Sequence, residues 1–175
     1  MSDASAPTQD STEAAASQSA TKRKPVWVTA VGKVLYSLVV HRARLRLAAR
    51  HAEDPQTSGR LRRLARRRRE DVEELVRTAL PDVVAPKPID HDDVAPHARR
   101  ELALANEIAS IAATLRSNRK VRVNVERATE KNPPARVAAK LARIAADLEM
   151  EAGTLNARLR DVAVIAIVTP PQAAS

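Results

Sequence analysis

Apolar residues return every three or four positions in four separate stretches of this chain. That period constrains the fold more than any other feature, because it gathers them on one stripe of a helix, and a stripe must be buried against another. The first stretch runs from Val26 to Ala52, with Trp27, Val31, Val34, Leu38, Leu45, Ala49 and Ala52 on one face. The second, Thr57 to Leu80, carries Leu61, Leu64, Ala65, Val72, Leu75 and Ala79. A third is expected from Pro96 to Lys131, with Leu104, Ile108, Ile111 and Leu115 and then a weaker half of Val121, Val125 and Ala128. The fourth starts near Pro134 and has the cleanest stripe: Val137, Leu141, Ile144, Leu148, Leu155, Leu159 and Val162.

The breaks between them are short. In EDPQTSG, Pro55 cannot continue a helix and Thr57 or Ser58 can cap the next one; NPP at 132–134 makes a second sharp turn. Only PDVVAPKPIDHDDVAP is longer, and its four prolines read as an extended acidic linker over 81–95. Short turns place neighbouring helices antiparallel. The expected fold is therefore all-α, an antiparallel four-helix bundle over 25–168, built as two helical hairpins joined by the Pro-rich linker. A disordered polar tail (1–24) and a disordered C-terminal tail (169–175) flank it. The apolar end VAVIAIV, 162–168, reads as a docked strand, a helix extension or a partner contact.

Composition agrees with close helix packing. There is no Phe, one Trp, one Tyr and only three Gly, so Ala, Val and Leu must form the core. The absence of Cys excludes disulfides, thiolate metal sites and a cysteine nucleophile. Val26 to Val40 is the most membrane-like segment, but it contains Lys33 and falls short of the roughly 20 apolar residues a crossing needs. No membrane insertion and a cytoplasmic location are expected.

Two stretches resemble a known family. AARHAEDPQTSGRLRRLARRRREDVEEL (48–75) and VERATEKNPPARVAAKLARIAADLE (125–149) are similar to the bacterial ferritin-like four-helix proteins of uncharacterised function. The resemblance covers roughly 33–162 and implies a ferritin-like bundle. Di-metal relatives of that fold use a Glu on each of two helices and Glu-x-x-His on each of the other two. This chain has no Glu-x-x-His, and its four histidines are His41, His51, His91 and His97. No metal and no cofactor are expected, with a divergent metal-binding ferritin-like protein as one alternative.

Residues 60–70, RLRRLARRRRE, hold seven arginines. A step of about 100° per residue puts Arg60, Arg62, Arg63, Arg66, Arg67 and Arg69 off the apolar stripe and Arg68 in its middle. Arg42 interrupts the first stripe in the same way, His41 lies at its edge, and a turn centred near residue 55 puts Arg42 and Arg68 at one level. Glu151 interrupts the fourth stripe. Asn118 and Arg122 fall on the weaker half of the third. We therefore expect a polar layer at the bundle waist, with Arg42 and Arg68 facing Glu151 and Asp71 and His41 nearby, unless the arginines snorkel to water.

The remaining six arginines, with Arg44, Arg46, Arg50 and the Lys22–Lys24 arm, could touch a polyanion such as nucleic acid. Against that stand the lack of an aromatic platform for bases and the acids Glu70, Asp71, Glu73 and Glu74 that follow at once. No Ser–His–Asp set, P-loop or dinucleotide fingerprint occurs, and His91-Asp92-Asp93 reads as a solvated turn. The chain is expected to be a non-enzymatic bundle with a binding or structural role, possible as a homo-oligomer, with a nucleic-acid-associated basic protein as the second alternative.

Overall fold

The computed structural model describes residues 25–79 and 106–168. It consists of four helices: α1 (Val26–His51), α2 (Pro55–Ala79), α3 (Glu107–Thr129) and α4 (Ala135–Val168). No strand occurs among the described residues. The expected tails, the linker 81–95, the Lys22–Lys24 arm, Leu104, and His91, Asp92, Asp93 and His97 lie outside the described residues.

Each helix buries a seam with alternating steps of three and four residues, the spacing of helices that pack nearly antiparallel. On α1 the seam is Val31, Val34, Leu38, His41, Leu45 and Ala48, and all six are buried. On α2 it is Leu61, Ala65, Arg68, the half-buried Val72, Leu75 and Ala79; on α3, Ile111, Thr114, Asn118, Val121, Val125 and Ala128. On α4 it is Val137, Leu141, Ile144, Leu148, Glu151 and Leu155. Leu115 and Ile108, expected at the centre of the α3 stripe, are only half-buried, because the seam runs one residue earlier through Thr114 and Asn118.

α1 packs on α2 and α3, and α4 packs on α3 and α2, so the helices follow the order α1, α2, α4, α3 around the bundle. One apolar cluster joins the N-terminal half of α1 to the C-terminal ends of α2 and α3 and to the start of α4. The second joins the C-terminal end of α1 to the starts of α2 and α3 and to Leu155 of α4. α1 and α4 therefore run one way and α2 and α3 the other. Ala79 and Asn106 therefore lie at opposite ends of the bundle.

The helix ends refine the sequence reading. Asp54, not Thr57 or Ser58, caps α2: its carboxylate accepts from Gln56 N at 3.1 Å, Thr57 N at 2.8 Å and Thr57 Oγ1 at 2.7 Å. Pro55 then sits in the first turn, where its missing N–H costs nothing. Ser58 instead donates to Ala49 O at 2.6 Å, tying α2 back to the end of α1. The third helix, expected from Pro96, starts at Glu107: Asn106 is extended (ψ 176°) and caps it, accepting from Ala109 N at 3.0 Å, while 96–105 lie outside the described residues. Asn132 turns the chain with φ 49°, a conformation asparagine tolerates, before Pro133 and Pro134. At 162–168 the chain continues α4, so of the three readings for that segment the helix extension is the one observed.

Leu38 is fully buried, whereas Tyr36 on the same helix is 53% exposed. In urea unfolding, Leu38→Ala is expected to cost about 2–5 kcal/mol and Tyr36→Ala about 0.5 kcal/mol or less.

Candidate functional site: a polar layer at the bundle waist

The two apolar clusters do not meet directly. At the level between them every helix contributes a polar seam residue, His41 on α1, Arg68 on α2, Asn118 on α3 and Glu151 on α4, none more than 2% exposed, and Thr114 is a further buried polar residue of the α3 seam. Asp71, one turn beyond Arg68, is buried with them.

Glu151 is the hub. Its Oε1 accepts from His41 Nε2 in direct contact and from Asn118 Nδ2 at 3.0 Å. Asn118 Nδ2 also lies 3.0 Å from Leu148 O, which fixes the amide against the α4 backbone. Arg68 sits between the two carboxylates, with Nε 3.6 Å from Glu151 Oε2 and Nη1 3.2 Å from Asp71 Oδ2. These are ion pairs without hydrogen-bond geometry, so the guanidinium is held chiefly by charge.

The two carboxylates are shifted in opposite directions. Burial opposes the Glu151 charge more than any other single effect, but the His41 hydrogen bond and the charges of His41 and Arg68, with Asn118, together hold its carboxyl below the ordinary range. For Asp71, burial wins: it raises the carboxyl above the usual value despite Arg68, Lys140 and Arg143, and Asp147 pushes the same way.

Arg42, expected to share the layer, is not part of it. The α1 seam that holds Val34, Leu38 and Leu45 at full burial passes through His41, and the next residue is turned about 100° away. Arg42 is half-buried at the edge of α1, facing Arg46, Arg69 and Glu73. Arg122 also lies outside the layer and pairs with Glu149 on the surface.

The six outward arginines divide. Arg67 reaches α4 and clasps Asp147 with two parallel bonds, Nε to Oδ2 at 3.0 Å and Nη2 to Oδ1 at 2.7 Å. Arg69 bonds Glu73 one turn along, at 2.6 Å. Arg60, Arg62, Arg63 and Arg66 are exposed and make no ion pair with a described residue.

Sequence reading missed the rest of the α2–α4 seam. Lys140 pairs in direct contact with Glu74, Arg143 Nη2 lies 3.0 Å from Glu74 Oε2 and 3.6 Å from Asp71 Oδ1, and both lysine and aspartate ends of this strip are buried. Glu107 is a second buried acid, accepting from Glu53 N at 3.1 Å and from Arg158 Nε at 2.9 Å. The signal was present as charges adjoining each stripe, Lys140 beside Leu141 and Asp147 beside Leu148, but a helical wheel of one segment cannot say which charge a neighbour will cover.

No group of three or more His, Cys, Asp or Glu that could hold a metal ion occurs among the described residues. Among them no helix is long and apolar enough to cross a membrane.

No protein-family profile matches the chain, and no curated protein matches it. Its fold is similar to that of the DpsB protein of Lactococcus lactis MG1363, known from a crystal structure, with a TM-score of 0.52 and 20% sequence identity over 79% of this chain and 81% of that one. At that identity the likeness speaks for the fold, a ferritin-like four-helix bundle.

Removing the hub leaves Arg68 and His41 buried without their carboxylate, so Glu151→Gln is expected to cost about 3–5 kcal/mol in chemical unfolding at neutral pH. The pH dependence has a definite sign for each acid. With its folded pKa depressed, Glu151 contributes stability that is present above its unfolded value, about 4.3, and is lost as pH falls through the folded value. Asp71 runs the other way: its raised folded pKa means that stability falls as pH rises from its unfolded value, about 3.9, through the folded one. Melting curves should therefore show an acid limb that flattens in Glu151→Gln, and a fall on the alkaline side of it that is removed in Asp71→Asn.

Proposed function

We propose that this chain is a ferritin-like bundle with a binding or structural role, working in the cytoplasm without catalysis and without a metal centre. The observation that carries the reading is Arg68, fully buried at the waist between Glu151 and Asp71. Ferritin-like di-metal sites gather carboxylates and histidines from all four helices at the bundle core. Here the corresponding layer offers two carboxylates and one imidazole, but a fixed positive charge stands among them. Glu151 Oε1 already receives His41 and Asn118, and no Glu-x-x-His occurs. A divalent ion would have to displace or face a guanidinium that has no route to solvent, so this donor set does not fit one. The kinship with the uncharacterised ferritin-like proteins, and assembly into a homo-oligomer, belong to the same proposal.

Elemental analysis of the purified protein tests it. Less than stoichiometric iron and manganese is expected, together with a melting temperature unchanged by added Mn²⁺; stoichiometric metal that raises the melting temperature would sink the reading.

A second reading, contact with a polyanion, is favoured by where the charge lies. Residues 42–69 hold eleven arginines against two acids, a net +9, equal to the formal charge of the entire chain. The rest of the chain is balanced, so the field of the molecule originates from the half of the α1–α2 hairpin nearest its turn. Binding of duplex DNA measured from low to moderate salt should weaken by orders of magnitude; an affinity indifferent to salt would remove phosphate contact as its source.

A further inference from the structure

Resting on the polyanion reading, we propose that the trough between α1 and α2 near their turn is a site for a flexible polyphosphate chain, with inorganic polyphosphate as the fitting ligand class. Two rows of arginine border it. On α1, Arg42, Arg46 and Arg50 follow at intervals of four residues and share one face. On α2, Arg62, Arg66 and Arg69 form the matching row. The electrostatic neighbours of Arg42 are Arg46, Arg69 and Glu73, which puts Arg69 of the second row beside the first row. The helices run antiparallel through the turn at Ala52–Asp54, so the two rows lie alongside each other in opposite chain directions.

Arg67 points to the opposite side of α2, where Asp147 engages it. The trough is therefore not the whole arginine run but one face of it joined to one face of α1. Its only acid among these neighbours is Glu73, at the end furthest from the turn, and Glu73 already bonds Arg69. Burial lowers the Arg42 pKa, the adjacent Arg46 and Arg69 lower it further, and Glu73 offsets only part of this, so positive charge is in excess here.

Two features select the chemistry. Packed helices stand about 8–10 Å apart, whereas the major groove of a duplex alone is about 12 Å across. A duplex must ride on the rims of such a trough, while a chain one phosphate thick can enter and meet both rows. The aromatic residues also lie elsewhere: Trp27 and Tyr36 both belong to the N-terminal half of α1, away from the turn. With no Trp, Tyr or Phe beside it, and only the half-buried His51 near the turn, the trough offers little to stack on a base and reads chiefly phosphates.

The test is fluorescence anisotropy of labelled long-chain inorganic polyphosphate with the full chain, with duplex DNA as competitor. Two triple variants remove equal charge: Arg46→Gln/Arg62→Gln/Arg66→Gln in the trough, and Lys33→Gln/Lys120→Gln/Arg127→Gln on exposed positions of α1 and α3. Circular dichroism melting checks that both stay folded. The trough variant should bind at least about tenfold more weakly, with a salt slope lower by about one for each arginine lost, and the control should stay within about twofold. Duplex DNA should displace polyphosphate only in large excess of phosphate. If duplex DNA binds more tightly through the same arginines, the polyphosphate assignment fails while the polyanion reading stands. Equal losses in both variants would refute the trough, and no binding of either ligand at low salt would refute both.

Discussion

Glu151 touches residues from all three other helices, and the arrangement of the bundle depends on that one buried carboxylate. Taking charges out of water is costly, and the attraction between Glu151 and its partners offsets the cost only because His41, Asn118 and Arg68 converge on it. An apolar seam tolerates sliding by a turn, since one aliphatic side chain can replace another. A layer with one hydrogen-bonding or charged residue per helix does not. A shift of any helix by three or four residues would set Arg68 or Glu151 against leucine or isoleucine, so the layer fixes the axial register that Ala, Val and Leu alone leave loose. The layer also divides the core into two apolar clusters, one rich in leucine and valine and one rich in alanine.

The four stripes, both turns and the two residues at the heart of the waist, Arg68 and Glu151, were legible in the sequence because each stands out from a regular apolar period. The layer's remaining members were harder to read. On α1 an arginine and a histidine are adjacent, and the wheel placed Arg42 inward; only the packing of Val34, Leu38 and Leu45 on neighbouring helices decides that the seam passes through His41. On α3 the sequence puts Asn118 on the weaker half of the stripe but offers no sign of Thr114; both are buried because their polar atoms find partners, Asn118 on the facing helix and Thr114 within its own. Thr114 Oγ1 donates to Ser110 O at 2.8 Å. The motif Asp-Pro-x-Thr carries the cap at Asp54, whose carboxylate takes the place that the hydroxyls of Thr57 and Ser58 could fill. Pairings between helices, such as Arg67 with Asp147, depend on which helices become neighbours, and a single segment carries no record of that.

α2 is two-faced in its charges as well as in its polarity. The side toward α4 is an ion-paired seam in which Arg67, Asp71 and Glu74 meet Asp147, Arg143 and Lys140. The side toward α1 is almost purely cationic. Arginine therefore does two physically different jobs within one run: paired with an acid across a helix interface it adds to cohesion, and unpaired beside other arginines it opposes cohesion and projects a field outward. Composition alone, which counts them together, hides the distinction.

The distribution of the waist residues between the hairpins has a consequence for assembly. The α1–α2 hairpin contributes His41, Arg68 and Asp71, while α3–α4 contributes Asn118 and Glu151. Two copies of the first hairpin, swapped together, would bury two guanidiniums and two imidazoles with only the Asp71 carboxylates to receive them; two copies of the second would bury paired glutamates with no cation. Each hairpin is thus a poorer partner for itself than for the other, and the two halves of the chain discriminate by charge. The waist acts as a lock and key inside one chain.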